Sequence, residues 1–239
     1  MQVSTKAIVL TAIKYGDSSL IVRCYTEQSG SKSYLLRGVL KSKKGKLRPA
    51  YFQPLTQLEI VVSHSRKSEL HSIKEARISH AYETIFSDYT KQSISFFIAE
   101  MLANTVREEE GNQALFAYLE TSLKWLDLHS HVANFHLVFL LKLTKYLGFY
   151  PGEYTQDDCY FNMVEGSFTN EVFLGECLEG DDLLLLKNAL GIKFDTANEL
   201  ALHVKSRQRL LEIILRYFEM HLMGFKRPKS MNVLKKLFN

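Results

Sequence analysis

The residues with the clearest chemical potential are the cations of one short stretch, residues 41–48. Five of its eight positions are basic, namely Lys41, Lys43, Lys44, Lys46 and Arg48. Clustered cations around a glycine can follow a phosphate backbone without reading the bases. We therefore predict that this stretch contacts DNA phosphates. The alternative is a solvated loop whose lysines serve solubility.

Two arginines and two tyrosines extend this candidate surface. Arg23 and Arg37 fall in segments with strand character, so they could face a groove. Tyr25 and Tyr34 could offer rings on which bases stack. The alternative is an exterior arginine paired with a carboxylate, and a tyrosine at the edge of the core.

A second group of cations lies near the end of the chain. It comprises Lys205, Arg207, Arg209, Lys226, Arg227, Lys229, Lys235 and Lys236. Cations in the last turn of a helix also complement the helix dipole, so charge alone does not assign them a partner.

Acidic clusters at residues 108–110, 157–158 and 181–182 raise the alternative of a metal-dependent nuclease. These carboxylates mostly adjoin glycine or predicted helix starts, where they favour the dipole and solubility. His129 and His131 are typical of a loop or a helix cap. The sequence contains no Walker A, G-x-G-x-x-G, H-E-x-x-H or G-x-S-x-G motif. We therefore predict a protein without catalytic activity.

The charges are distributed unevenly along the chain. Residues 1–80 hold 14 lysines and arginines against 5 acids, residues 81–199 hold 7 against 19, and residues 200–239 hold 9 against 2. A basic first segment favours a polyanionic partner, most simply nucleic acid.

Between residues 3 and 78 the sequence predicts five short strands with turns between them. They are Val3–Tyr15, Leu20–Thr26, Tyr34–Val39, Leu55–Ser63 and Glu69–Ile78. In the second strand Leu20, Val22 and Cys24 share one face, so we expect Cys24 in the core rather than as a nucleophile. Five such strands suit a small barrel or sandwich.

From about residue 80 apolar residues recur at helical spacing. We predict a first helix ending near Gly111, helices over Leu115–Leu128 and Phe135–Leu147, a long helix with its apolar face at residues 211–222, and a short basic helix, Ser230–Phe238. Residues 153–180 are polar and show little helical pattern. The fold class is therefore α+β, with predicted domains at 1–80 and 81–239.

No run of about 18 apolar residues occurs, and the first ten residues have no apolar stretch suited to a signal peptide. The three cysteines are widely spaced and do not suggest a disulfide framework. We expect a reduced, cytoplasmic protein.

Several segments resemble the RecO family of bacterial recombination mediators in their order and spacing. They are Lys6–Leu10, Tyr15–Ser19, Tyr25-Thr26, Gly30, Arg37–Val39, Gln53–Leu55, Ala99–Leu102, Tyr146–Pro151, Lys229-Ser230 and Val233-Leu234. No single segment is diagnostic, but together they span nearly the whole chain.

The resemblance implies an N-terminal OB-fold barrel joined to a helical domain. It also implies binding of single- and double-stranded DNA, annealing of complementary strands, and action at the nucleoid. Its implied partners are the RecR protein, the acidic C-terminal tail of single-strand-binding protein, and functionally the RecA recombinase. On this resemblance, Arg207, Arg227 and Lys229 are candidates to receive the acidic tail.

One departure from the family pattern concerns metal. Many members carry a CxxC…CxxC zinc site in the helical domain, whereas this chain has only Cys159 and Cys177 in that stretch. Structural zinc needs four good ligands, so we predict no zinc and no cofactor. The charge pattern also leaves open an adaptor whose basic N-terminal domain binds an acidic protein.

Overall fold

The computed structural model describes residues 2–41, 46–63, 70–107, 110–171, 175–197 and 200–237. The strands in those ranges are β1 (Gln2–Tyr15), β2 (Ser19–Thr26), β3 (Gly30–Leu36), β4 (Gln57–Ser63), β5 (Leu70–His80), β6 (Tyr160–Asn162), β7 (Ser167–Thr169) and β8 (Cys177–Leu178). The helices are α1 (Tyr89–Thr105), α2 (Gln113–Leu128), α3 (Phe135–Tyr146), α4 (Gly180–Ala189), α5 (Val204–His221) and α6 (Met231–Leu237).

The first five strands close into a barrel in the order β1-β2-β3-β5-β4. Neighbouring strands are antiparallel except β3 and β5, which run parallel. This is the topology of the OB fold, a five-stranded Greek-key barrel. With the helices that follow, it confirms the predicted α+β class.

Alternation along the strands builds the barrel core. Leu20, Val22 and Cys24 of β2 all lie in the buried core, as their spacing predicts. A bulge between Val9 and Thr11 bends β1. Residues 2–8 of β1 therefore pair with β4, and residues 7–15 pair with β2.

Helices α1 and α2 cover the outer wall that β1 and β2 form. Ile8 and Tyr25 are cross-strand partners on this wall, and both are buried. The Tyr25 ring stacks on Phe116 of α2 with 6.2 Å between ring centroids. The Lys6 ammonium lies 3.2 Å from the Glu120 carboxylate of α2.

A buried carboxylate ties the segment leaving the barrel to α2. Asp127 accepts hydrogen bonds from the backbone amides of Glu83, Thr84 and Ile85 at 2.9, 2.8 and 3.0 Å. Burial alone would raise the pKa of the Asp127 carboxyl, but these hydrogen bonds hold it below its usual value. The Lys91 ammonium of α1 donates to the Asp127 carbonyl at 2.6 Å.

The chain divides into two compact units, Met1–Leu128 with Pro228–Ser230, and His129–Arg227 with Met231–Asn239. The barrel, α1 and α2 belong to the first unit. The division predicted from the sequence, a nucleic-acid-binding domain over 1–80 and a helical, partner-binding domain over 81–239, stays a prediction.

In the second unit α3 is buried nearly all round, as its apolar composition predicts. Phe135 stacks on Phe139 and Phe194 with centroids 5.8 and 4.9 Å away. Strands β6, β7 and β8 form a small sheet in the order β7-β6-β8. Among the helices of the described ranges, none is both long enough and apolar enough to cross a bilayer.

Two sequence-based expectations about elements were wrong. β3 begins at Gly30 and ends at Leu36, because Gly38 adopts φ +69° and turns the chain, so Arg37 lies in a turn and not in a strand. Residues 153–180, expected to be irregular, contain β6, β7 and β8. These strands have two or three residues each, too few for alternation to show.

Candidate nucleic-acid interface

Three of the five basic residues predicted between 41 and 48 lie in the described part of the chain. Lys41, Lys46 and Arg48 are all exposed, whereas Lys43 and Lys44 lie outside the described residues. The Lys46 ammonium donates to Glu75 Oε1 at 2.6 Å, which offsets part of its charge. The Arg48 guanidinium lies 6.0 Å from the centre of the Tyr51 ring.

A groove of about 410 Å³ opens in the barrel wall between β3 and β5. The two strands pair only at Ser33–Leu70 and Tyr34–His71 among the described residues, and the groove lies alongside their continuation. Its lining comprises residues 35–37, Leu47, Ser63 and residues 70–74. Incomplete pairing of two parallel strands therefore creates a concave surface on the barrel.

Two exposed cations line this groove, one from each side. Arg37 follows the end of β3, and Lys74 lies on β5. No carboxylate of the described residues forms an ion pair with either side chain, in contrast to Lys46 with Glu75 and Arg77 with Glu59. Arg37 and Lys74 can therefore offer their charge to an external anion.

The turn after β3 is fixed to the end of the β1–β2 hairpin. The Leu40 amide donates to the Ser18 carbonyl at 2.9 Å, and the Gly38 amide donates to the Ser19 hydroxyl at 3.3 Å. This pair of hydrogen bonds places Arg37 and Lys41 at the same end of the barrel as the hairpin.

Arg23 and Tyr25 face α1 and α2 rather than solvent. Arg23 donates to the Ala103 carbonyl of α1, and burial, with a smaller effect from Arg107, lowers its pKa. Tyr25 is 1% exposed, and its hydroxyl donates to the Asn112 carbonyl at 3.4 Å. In this arrangement neither side chain offers a surface to a base or a phosphate.

Tyr34 is fully buried in the barrel core. Burial raises the pKa of its hydroxyl, with a smaller contribution from Cys24. Both Tyr34 and Tyr25 are buried, so neither ring has a free face on which a base could stack.

The sequence did not single out Lys74 or His71, which line the groove. Lys74 stands alone between apolar and acidic neighbours, so no cluster marks it. The one sequence feature that could have identified Lys74 is its position next to Ile73. Because neighbouring residues of a strand face opposite sides, an inward-facing Ile73 directs Lys74 outward.

The three candidate partner-binding cations have different surroundings. Arg207 donates to Asn134 Oδ1 at 2.9 Å and to the Leu202 carbonyl at 3.1 Å. Arg227 donates to Glu219 and Glu212, and these contacts raise its pKa. Lys229 is exposed. Arg207 and Arg227 are therefore held by hydrogen bonds within the protein, whereas Lys229 is exposed and its charge helps to lower the pKa of the Glu100 carboxyl.

In two of the acidic clusters, one carboxylate makes a structural contact. Asp158 accepts from the Thr155 amide at 2.6 Å, and Asp182 in the first turn of α4 accepts from Arg209 Nε at 2.8 Å. Glu108 and Glu109 lie outside the described residues. His129 and His131 are exposed.

The stretch that corresponds to the family's zinc site contacts an ammonium group. The Lys187 ammonium donates to the carbonyls of Thr155, Gln156 and Asp158 at 2.9, 3.4 and 2.7 Å. Within the described ranges, no three His, Cys, Asp or Glu side chains lie close enough to hold a metal. The residues present therefore do not fit a tetrahedral zinc site.

Comparisons with known proteins agree along the whole chain. The family model described as "Recombination protein O N terminal" matches residues 1–82, and the one described as "Recombination protein O C terminal" matches residues 86–231. The chain is 46% identical to DNA repair protein RecO of Flavobacterium psychrophilum and 44% identical to that of Christiangramia forsetii, each over the full length of both chains. It is 38% identical to DNA repair protein RecO of Bacteroides fragilis over 98% of each chain.

Proposed function

The chain belongs to the RecO family of DNA repair proteins, and on that premise we propose that it is a non-enzymatic recombination mediator whose barrel binds DNA. The observation that carries the proposal is the groove between β3 and β5, with Arg37 and Lys74 unpaired by any described carboxylate. OB-fold barrels bind oligonucleotides on the strand 2–3 face and at the loop after strand 1. Arg37 follows β3 and lies beside that loop.

The proposed binding mode is independent of sequence. Arg37, Lys41 and Lys74 contact phosphates, and Lys46 and Arg48 extend the basic surface. Phosphate contacts fix a strand without reading its bases. Two strands held with their charge partly neutralised and their bases free can pair, so annealing of complementary strands follows from the same surface.

Partner recognition is the second part of the proposal. RecR, the acidic tail of single-strand-binding protein and, functionally, RecA are the proposed partners, which would place the protein at the nucleoid in the cytoplasm. For the acidic tail we propose exposed Lys229 as the first contact, because the guanidinium groups of Arg207 and Arg227 donate hydrogen bonds within the protein, whereas the charge of Lys229 acts only at longer range on Glu100. Either arginine would have to exchange those contacts for the peptide's carboxylates.

The Lys229→Glu variant tests the proposed contact with the acidic tail. The control is Lys193→Glu, which reverses the charge of an exposed lysine in the second unit. Reversing charge at Lys229 should weaken binding of a labelled acidic tail peptide, and the control should bind as wild type does. Equal affinity of the two variants would remove Lys229 from the site. Arg227→Glu is a poor test, because it would place a third carboxylate beside Glu212 and Glu219.

Fluorescence anisotropy of a labelled single-stranded oligonucleotide, titrated at several salt concentrations, tests the DNA-binding function. We expect saturable binding that weakens steeply with salt and is displaced by oligonucleotides of unrelated sequence. We also expect the protein to accelerate annealing of complementary strands. Absence of binding at low salt would contradict the proposal and favour the adaptor with an acidic protein partner.

A further inference from the structure

The end of the β1–β2 hairpin exposes two large apolar side chains. Ile13 is 63% exposed and Tyr15 is 57% exposed. Their cross-strand partners on β2 are Ile21 and Ser19, respectively. Residues two apart on a strand share a face, and directly paired residues share it too, so Ile13 and Tyr15 form one small surface on the hairpin.

On this outer face of the hairpin, the contact with α1 lies at Arg23, and Tyr15 lies farther towards the hairpin end. Thr11 pairs with Arg23 on the face that also carries Ile13 and Tyr15, and Arg23 donates to the Ala103 carbonyl near the end of α1. Nearer the hairpin end, Tyr15 is exposed and its hydroxyl has no hydrogen-bond partner among the described residues. The ring is therefore accessible on a strand that the barrel holds in place.

The charges around this ring suit a polyanion. The Ser19 hydroxyl accepts a hydrogen bond from the Gly38 amide, and Ser19 is the cross-strand partner of Tyr15, so the turn with Arg37 and Lys41 lies beside the residue opposite Tyr15. Lys14 adds a cation on the opposite face of β1, and Asp17 in the hairpin turn is the nearest carboxylate in sequence. A ring beside exposed cations can bind a nucleotide through both its base and its phosphate.

We propose that Tyr15 is a stacking platform for an unpaired base of a DNA strand whose phosphates lie on Arg37 and Lys41. This inference rests on the proposed DNA-binding function and adds a preference for single strands to it. Bases of a duplex are already stacked on one another, whereas those of a single strand have accessible faces. Without stacking on a ring, phosphate contacts alone would not create this preference for single strands over duplex DNA.

Tyr15→Ala is the test, with Tyr15→Phe as the conservative variant. Tyr89→Ala is the matched control, because Tyr89 is 67% exposed on α1, away from the hairpin. Binding is measured by anisotropy on single-stranded and duplex DNA over a salt series. A strand containing 2-aminopurine adds a readout for stacking, since its fluorescence is quenched when a ring stacks on the base.

We expect Tyr15→Ala to weaken single-strand binding about 10-fold or more, in line with the loss of one base–ring contact. The slope of log affinity against log salt should stay at the wild-type value, because no cation is removed. Duplex binding should change little, the Phe variant should match wild type, and 2-aminopurine quenching should be lost only in Tyr15→Ala.

Wild-type single-strand affinity of Tyr15→Ala would overturn the inference, as would an equal loss on duplex DNA. Either result leaves the proposed function intact, since wild-type protein still binds DNA with its salt dependence. Failure of the wild-type protein itself to bind DNA would overturn both proposals. The thermal unfolding midpoint of each variant shows whether a loss of binding reflects misfolding.

Discussion

Arg37, in the turn after β3, and Lys74, on β5, line one groove, and β3 and β5 pair only at Ser33–Leu70 and Tyr34–His71 among the described residues. Neither cation forms an ion pair with a described carboxylate, whereas Arg77 on the same strand as Lys74 pairs with Glu59. Charge on this barrel is therefore distributed unequally between ion pairs that stabilise the fold and cations that remain available. We therefore propose that the groove, rather than the whole basic segment, is the part of the barrel that holds phosphate.

Lys187→Met should destabilise the second unit. Removing the ammonium leaves the carbonyls of Thr155, Gln156 and Asp158 without that donor in a partly buried site. We expect the free energy of unfolding to fall by about 2 kcal/mol. Denaturant unfolding measures the loss, and hydrogen exchange should show faster exchange around residues 155–159. Lys193→Met, at an exposed lysine, is the control, and equal stability of the two variants would contradict the role of Lys187.

His136 should make stability depend on pH. Burial, with a smaller effect from Arg207, lowers the pKa of this histidine from 6.5 to about 3. Between these values the unfolded chain binds a proton at His136 and the folded chain does not, so the free energy of unfolding falls as pH drops below 6.5.

The His136→Gln variant should lose that part of the pH dependence. Denaturant unfolding between pH 7 and pH 4 compares it with wild type and with His131→Gln, which removes an exposed histidine. A difference between wild type and His136→Gln that stays constant across this range would show that His136 titrates alike in both states.

Gly111→Ala should weaken the attachment of the segment before α2 to the barrel. A Cβ atom at Gly111 would lie 2.7 Å from the backbone carbonyl carbon and oxygen of Gln28 and from the Glu27 carbonyl oxygen. Backbone atoms cannot rotate away, so we expect a loss of about 1–3 kcal/mol of unfolding free energy.

Gly152→Ala is the matched control, since a Cβ there would approach no atom closer than 3.4 Å. Thermal unfolding compares the two variants. Equal unfolding temperatures of the two variants would contradict this prediction. They would mean that the Glu27–Gln28 turn and the segment before α2 can move apart without loss of stability.

The sequence predicts the barrel well because alternation is a local property. The apolar residues at every second position of β2, Leu20, Val22 and Cys24, predict its inward face, and all three lie in the core. Tyr25 and Arg23 show the limit of the same pattern. Alternation assigns Tyr25 and Arg23 to the outer face, but it cannot show that α1 and α2 cover that face.

The candidate site was only partly predictable for the same reason. Lys41, Lys46 and Arg48 form a cluster in sequence, whereas Lys74 joins Arg37 only because β5 lies beside β3 in the closed barrel. The internal partners of Arg207 and Arg227 also come from distant positions, such as Asn134. Charge patterns locate cations, but tertiary contacts decide which of them remain available.

DNA binding by the Arg37→Gln/Lys74→Gln variant tests the proposed interface most directly. The matched control, Lys145→Gln/Lys193→Gln, removes the same net charge from exposed positions of the second unit. Anisotropy with single-stranded DNA over a salt series should show weaker binding for the groove variant, with the magnitude of the log–log salt slope reduced by about 1.4 for two lost phosphate contacts. The control should keep the wild-type slope. A wild-type slope in the groove variant, or an equal change in both variants, would contradict the account.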